Sequence, residues 1–228
     1  MDSSNLTAFV INLDSRPDRL AEFRRRTRRC SFPIERFPAI TSEQLIAQGL
    51  VAEPFPWQAC TESHRSIYRI VIERNLEWAL VLEDDILPIV GFDRRVRWAL
   101  EAAPTEAWLV QLGHIGNAGS RTRRILRSLG GHVLHSANEQ RCEQYWWGSH
   151  AYLVSKQFAE FMLEYPLNTE SHDQLVRRLS LESELKHHCF VHHPNLGAQS
   201  ASESDIGPGP EAIPGMRHGL RNWRRLLL

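Results

Sequence analysis

The sequence predicts an α/β fold built on a central, mainly parallel sheet with helices flanking it. Two observations carry this expectation. Short apolar runs of strand length alternate with segments whose apolar residues recur every three or four positions. The runs Ala8–Leu13 and Trp78–Leu82 are apolar enough for buried strands, and each opens onto polar residues.

Taken in order, Ala8–Leu13 is the first strand. Asp14 or Ser15 can cap the helix after it, Pro17 and Asp18 suit its first turn, and Leu20, Phe23 and Thr27 share a face. The arginines at 24, 25, 26, 28 and 29 fall on the solvated side and near the C-terminal end, where positive charge suits the helix dipole. Residues 34–40 are expected as an edge strand because Pro33 and Pro38 cannot donate to a ladder. Residues 41–58, with Pro54 and Pro56, read as an irregular excursion. A second helix is expected from about Cys60 to Asn75, facing inward through Ile67, Ile70 and Val71.

Trp78–Leu82 is the expected central strand, followed by a helix over Phe92–Ala102 and a strand over Trp108–Leu112. A glycine-bearing polar stretch then runs to about Glu143. Ala151–Val154 reads as a strand feeding a helix capped by Ser155, with Phe158, Phe161, Met162 and Tyr165 on one face. Residues 1–206 form the expected folded unit, and 207–228 a Pro/Gly-rich and then basic tail. That tail, with Arg217, Arg221, Arg224, Arg225 and Trp223, is either a loosely ordered terminus or a basic, apolar foot for peripheral contact with an anionic membrane.

Composition excludes several classes. Lys and Arg number 27 against 27 Asp and Glu, so no positive excess supports a nucleic-acid partner held by its phosphates. Cysteines 30, 60, 142 and 189 form no Cys-x-x-Cys pair, and reduced thiols in a cytoplasmic setting are expected. No secretory leader is read in residues 1–7, and no apolar run approaches the about 20 residues of a membrane span. The expectation is a soluble protein, or one resting on the inner membrane face.

The chemistry concentrates where the central strand meets Glu83-Asp84-Asp85. Three adjacent carboxylates at the end of a buried strand repel one another and resist desolvation unless a cation sits among them. Strand alternation sends Glu83 and Asp85 to one side and Asp84 to the other. Mg2+ or Mn2+ would take these hard oxygen ligands and complete its shell with water and substrate phosphates. The bland reading is a solvated acidic turn.

Three motifs in order, Val10-Ile-Asn-Leu-Asp-Ser-Arg-Pro-Asp-Arg19, Ser63-His64 and Ala79-Leu-Val-Leu-Glu-Asp-Asp-Ile86, resemble the glycosyltransferase family 25 domain. This is the family of bacterial lipooligosaccharide galactosyltransferases and collagen hydroxylysine galactosyltransferases. Gly148-Ser-His-Ala-Tyr-Leu-Val-Ser155, Asp173 and Ser204-Asp205-Ile206 resemble its later segments. The likeness spans about residues 8–206 and is weak over about 114–144. It implies a GT-A-like fold, a UDP-sugar donor (often UDP-galactose), inversion at the anomeric carbon, and an acidic motif standing where other GT-A enzymes carry Asp-x-Asp. A saccharide or glycolipid acceptor in surface-glycan synthesis follows from the same likeness.

On that basis Glu83 and Asp85 are candidate metal ligands, with His193 or His192 as a late histidine completing the shell. Asn12, Asp14, Arg16 and Arg19 are candidates for holding the nucleotide and its diphosphate, as are Ser63, His64 and Asp84. Asp14 and Asp18 can equally be helix-start acids. Ser63 and His64 are expected near a helix start, whose free N–H groups favour anions. The base that takes the acceptor's proton must come from another segment, and Asp173 and Asp205 are the candidates, with Glu170 behind them. Trp146, Trp147 and Gly148 can offer stacking faces and a close backbone to the acceptor, with Trp57 as a second platform. Two other classes compete: a metal-dependent nucleotidyl- or phosphotransferase, although no Gly-rich phosphate loop is present, and a non-catalytic nucleotide-sugar-binding protein.

Overall fold

The first strand, β1 (Thr7–Asn12), lies between β2 (Ile34–Pro38) and β3 (Trp78–Glu83), parallel to both. The computed structural model describes residues 5–52, 56–114, 131–136, 148–167, 170–182 and 184–200. Trp146, Trp147, Asp205 and the tail from 207 lie outside them.

The remaining sheet strands are β5 (Leu109–Gly113), β6 (Val133–Ser136), β7 (Ala151–Ser155) and β8 (Cys189–His193), in the spatial order β2-β1-β3-β7-β5-β8-β6. Strands β1, β2, β3, β5 and β8 point one way; β7 and β6 run against their neighbours. The sheet is therefore mixed and mostly parallel, flanked by helices, the α/β architecture the sequence predicts. A small second sheet pairs β4 (Ile86–Pro88) with β9 (Gly197–Gln199) just beyond the end of β3.

Alternation along the strands builds two cores. Phe9, Ile11, Ala79 and Val81 face the side covered by α3 (Pro56–Glu73), α5 (Lys156–Leu163) and α6 (His172–Glu182). Ala8, Val10, Leu80 and Leu82 face the side covered by α1 (Pro17–Thr27) and α4 (Phe92–Glu101). With both faces covered, β3 reads as an unbroken apolar run. Ser155 accepts a hydrogen bond from the Phe158 amide, the cap its sequence suggested.

Two expectations fail here. The stretch 41–58 is not irregular throughout. Thr41 and Gln44 form a reciprocal capping box that starts α2 (Ser42–Ala47), and α3 already begins at Pro56, a residue suited to a helix's first position. The edge position of β2 and the extents of β3, α4 and β7 agree with the sequence reading to within a residue or so.

Leu80, fully buried at the centre of β3, should lose about 2–5 kcal/mol of unfolding free energy as Leu80→Ala. Ile46→Ala, at a side chain half exposed on α2, should change it by no more than about 0.5 kcal/mol. Urea unfolding of the two variants checks the contrast.

Candidate active site

The three carboxylates divide between the faces of the sheet. Asp84 turns toward α1, where it accepts a hydrogen bond from Asn12 Nδ2 at 2.6 Å and pairs with Arg19. Glu83 turns toward α3, with its Oε1 3.5 Å from His64 Nε2. Asp85 has left the strand ladder. It lies 3.3 Å from Arg19, accepts from Gln199 Nε2 at 3.0 Å, and its carbonyl accepts from the Ser200 amide. The alternation expected of Glu83 and Asp84 is observed, whereas Asp85 touches the guanidinium that also holds Asp84.

The cluster is crowded with negative charge. Burial, reinforced by Asp173 and Asp84, pushes Glu83 up to about 7 against the pull of His150 and Arg19. Burial and the charge of Glu83 raise Asp85. Asp84 is raised as well, because burial outweighs the opposing effects of Asn12 and Arg19. One oxygen, Asp85 Oδ1, is buried with no hydrogen-bond partner. Beside it an open pocket of about 200 Å³ is lined by Arg16, Arg19 and Arg26, by Asp18, Glu22, Asp84 and Asp85, and by Ser200. Cationic side chains and carboxylates thus share one cleft at the carboxyl end of β3, where open α/β sheets receive their ligands.

Asn12 is a positioning residue. Its Nδ2 holds Asp84 and the Arg16 carbonyl, while its Oδ1 accepts from Arg36 Nε at 3.0 Å. Arg36 also pairs with Asp14, so this acid is anchored rather than aimed into the cleft. Arg16 pairs with Asp18 at 3.0 Å on the pocket rim.

Ser63 and His64 correct the sequence reading. Because α3 starts at Pro56, both lie in mid-helix, and the free N–H groups of a helix start are not at their position. The Ser63 hydroxyl donates to the Ala59 carbonyl and accepts from the Ile40 amide at 2.8 Å, clasping the chain after β2 to the helix. Its hydroxyl is spent on structure. His64 is fully buried; its Nδ1 lies 2.8 Å from the Tyr152 hydroxyl and its ring stacks on His172 at 4.1 Å. Burial holds its pKa down to about 3, leaving the ring neutral.

Asp173 comes from a separate segment, as a base must. It stands in the first turn of α6, where its Oδ1 accepts from the Gln174 amide and the Ser171 hydroxyl. It also lies close enough to raise Glu83 and to oppose the depression of His64. Glu170 is engaged with Arg178 at 2.7 Å. Gly148, at a φ of 93° that favours glycine, sits where β7 enters beside the end of β3; its carbonyl accepts from Gln111.

His193 is not brought to the acids. It sits on β8, three places from β3 in the sheet, hence about 14 Å away at normal strand spacing, and its ring meets His135. His192 is buried, contacting Trp98 edge-on and the Pro194 carbonyl. Trp57 is buried within α3 and offers no acceptor platform.

The family model described as Glycosyltransferase family 25 (LPS biosynthesis protein) matches residues 5–176, well over half of the chain. The chain belongs to glycosyltransferase family 25. No curated protein sequence matches it. Among solved structures it is similar to a glycosyltransferase involved in the glycosylation of the major capsid of PBCV-1. The TM-score is 0.45 and the identity 9%, covering 96% of this chain and 98% of that one. Family membership makes the chain a glycosyltransferase, with a sugar donor and a saccharide acceptor. Among the described residues no helix is long and apolar enough to cross a membrane.

The raised pKa of Glu83 has a consequence for stability. Between its ordinary value of 4.5 and about 7, the folded protein keeps a proton that the unfolded chain gives up. Stability therefore falls as pH rises through that window. Metal-free Glu83→Gln should lack this part of the slope and exceed the wild type at about pH 8 by up to about 3 kcal/mol, with little difference at about pH 4. His64 and His172, both depressed, titrate in the opposite sense in both proteins. The difference between variant and wild type in chemical denaturation across pH reports Glu83 together with Asp85, whose pKa the charge of Glu83 raises.

Proposed function

We propose that this family 25 member is an inverting transferase moving galactose, or a closely related sugar, from a UDP donor to a saccharide hydroxyl in surface-glycan synthesis. Asp85 supplies the observation that carries the reading. A buried carboxylate with one oxygen lacking any hydrogen-bond partner sits in a cleft lined by both arginines and carboxylates. An all-oxygen donor set fits Mn2+ or Mg2+, and Asp85 with Glu83 would hold the ion. When bound, such an ion neutralises the diphosphate as the sugar–oxygen bond breaks.

The chain's own residues account for the remaining steps. Arg16, just before α1, and Arg19, on its first turn, supply positive charge for the diphosphate at the pocket rim. Asn12 and Arg19 fix the two oxygens of Asp84, and in this reading the carboxylate so held accepts a further hydrogen bond from a ribose hydroxyl. Asp173 is the base in this reading. Its carboxylate takes the acceptor proton as the hydroxyl oxygen bonds to the anomeric carbon, and the electron pair of the bond to UDP leaves with the β-phosphate oxygen. Attack from the face opposite UDP inverts the centre. The tail from 207 onward, with its arginines and Trp223, would bring the protein to a glycolipid acceptor at the inner membrane face.

UDP release from several UDP-sugars with manganese, with and without saccharide acceptors, tests the reading. Acceptor-stimulated release is expected; phosphate or pyrophosphate release instead would mark a nucleotidyl- or phosphotransferase, and binding without release a non-catalytic protein. Asp85→Asn should lower manganese-dependent kcat by at least a hundredfold with an unchanged circular dichroism spectrum, and full activity in that variant would refute the metal assignment. Asp173→Asn should lower kcat by about 10²–10⁴ while leaving UDP binding within a few-fold.

A further inference from the structure

We infer that Cys60, His64 and Glu83 form a second cation site, selective for a borderline-soft divalent ion such as zinc, which shares Glu83 with the acidic strand end. Cys60 and His64 stand four residues apart on α3, so their side chains leave the same face of the helix. With Glu83 at the end of β3, they place a sulfur, a nitrogen and a carboxylate oxygen within 4.8 Å of one another. The separation of 3.5 Å between His64 Nε2 and Glu83 Oε1 is close to the about 3.4 Å that a tetrahedral zinc imposes on nitrogen and oxygen ligands.

The independent observation is His64 itself. Its ring is fully buried, and Nε2, directed toward Glu83, has no hydrogen-bond partner. The other ring nitrogen is held from behind. His64 Nδ1, the Tyr152 hydroxyl, the Tyr68 hydroxyl, His172 and the Ser149 hydroxyl form a continuous chain of hydrogen bonds of 2.6–3.1 Å. When that chain donates from His64 toward Ser149, Nδ1 carries the proton and Nε2 presents its lone pair to Cys60 and Glu83. A second shell that fixes tautomer and ring orientation in this way is what metal-binding histidines possess.

The donor set chooses the ion. Thiolate and imidazole suit zinc and disfavour manganese or magnesium, which take oxygen. Cys60 and Glu83, both ionised, supply two negative charges against two positive, and Cys60 is partly exposed, leaving a route for entry and a solvent ligand in the fourth position. The thiol proton passes to water as the sulfur–metal bond forms. For turnover the consequence rests on the glycosyl-transfer reading: zinc held here withdraws Glu83 from the cation that serves the diphosphate, so zinc should inhibit transfer. The binding itself does not depend on that reading.

Cobalt is the probe. The full-length chain, freed of metal by a chelator, is titrated with Co2+ and followed in the near-ultraviolet and visible. Thiolate-to-cobalt charge transfer and tetrahedral d–d bands are expected at one equivalent, displaced by equimolar zinc and retained in a hundredfold excess of manganese. Cys60→Ser and Cys60→Ala should lose the charge-transfer band and bind zinc at least tenfold more weakly, with near-ultraviolet circular dichroism verifying the fold. Persistence of the band in both variants, or no tetrahedral spectrum in the wild type, overturns the proposal. Asp85→Asn should keep the cobalt spectrum even where it abolishes transfer; loss of the spectrum in that variant would place cobalt on the strand-end acids and refute a separate site.

Discussion

Negative charge at the end of a covered strand is the constraint on which the rest of this structure turns. Sheet neighbours β1 and β7 flank β3 and helices cover both faces, so its run from Trp78 to Leu82 is sealed from water. Of the three carboxylates that follow, Asp84 and Asp85 meet the Arg19 guanidinium. Glu83, on the opposite face, meets an imidazole that burial keeps uncharged. Such a cluster relieves its repulsion in two ways: by retaining a proton, toward which burial pushes Glu83 up to about 7, or by gathering a cation. A protein optimised for stability alone would replace the acids with neutral side chains; retaining them costs stability where function needs charge.

Each face of the sheet contributes a different part. On the α1 face, Arg36 holds Asn12, Asn12 holds Asp84, and Arg19 bridges Asp84 to Asp85. This polar ladder stands beside a pocket that arginines and carboxylates line together. Opposite it, His64, Tyr68, Tyr152 and His172 form a buried network that reaches Ser149, with Asp173 in the next turn of chain. The antiparallel direction of β7 makes this meeting possible. It brings Gly148, Ser149 and His150 to the carboxyl end of β3, where a parallel strand would have delivered its far end.

Much of this was legible in the sequence because the relevant signals are local. An apolar run ending in acids identifies β3, period-two alternation separates Glu83 from Asp84, and Pro17 with Asp18 announces α1. The helix α2 was hidden because nearby prolines outweighed the Thr41–Gln44 box in the reading, and the early start of α3 moved Ser63 and His64 from a helix terminus to its middle. Strand β8 escaped notice since Cys-Phe-Val-His-His carries polar residues at two of five positions, and β9 is only three residues long. Arg36, Tyr152, His172 and Gln199 had no local signature at all. Their roles follow from which strands become neighbours, a property of long-range pairing that spacing does not encode.

Glu83 acts on both faces of the sheet. Backbone alternation directs it toward α3, yet its charge is coupled to Asp85, which has turned back toward Arg19. In the proposed readings it is therefore common to an oxygen-only donor set with Asp85 and a mixed sulfur–nitrogen–oxygen set with Cys60 and His64. A carboxylate can satisfy either ion, but the geometry that shortens its contact with one set lengthens its contact with the other. Under the two proposals, hardness of the remaining ligands would decide the occupant, and a rotation of the Glu83 side chain would couple a cation on the α3 face to the charge facing a phosphate on the α1 face.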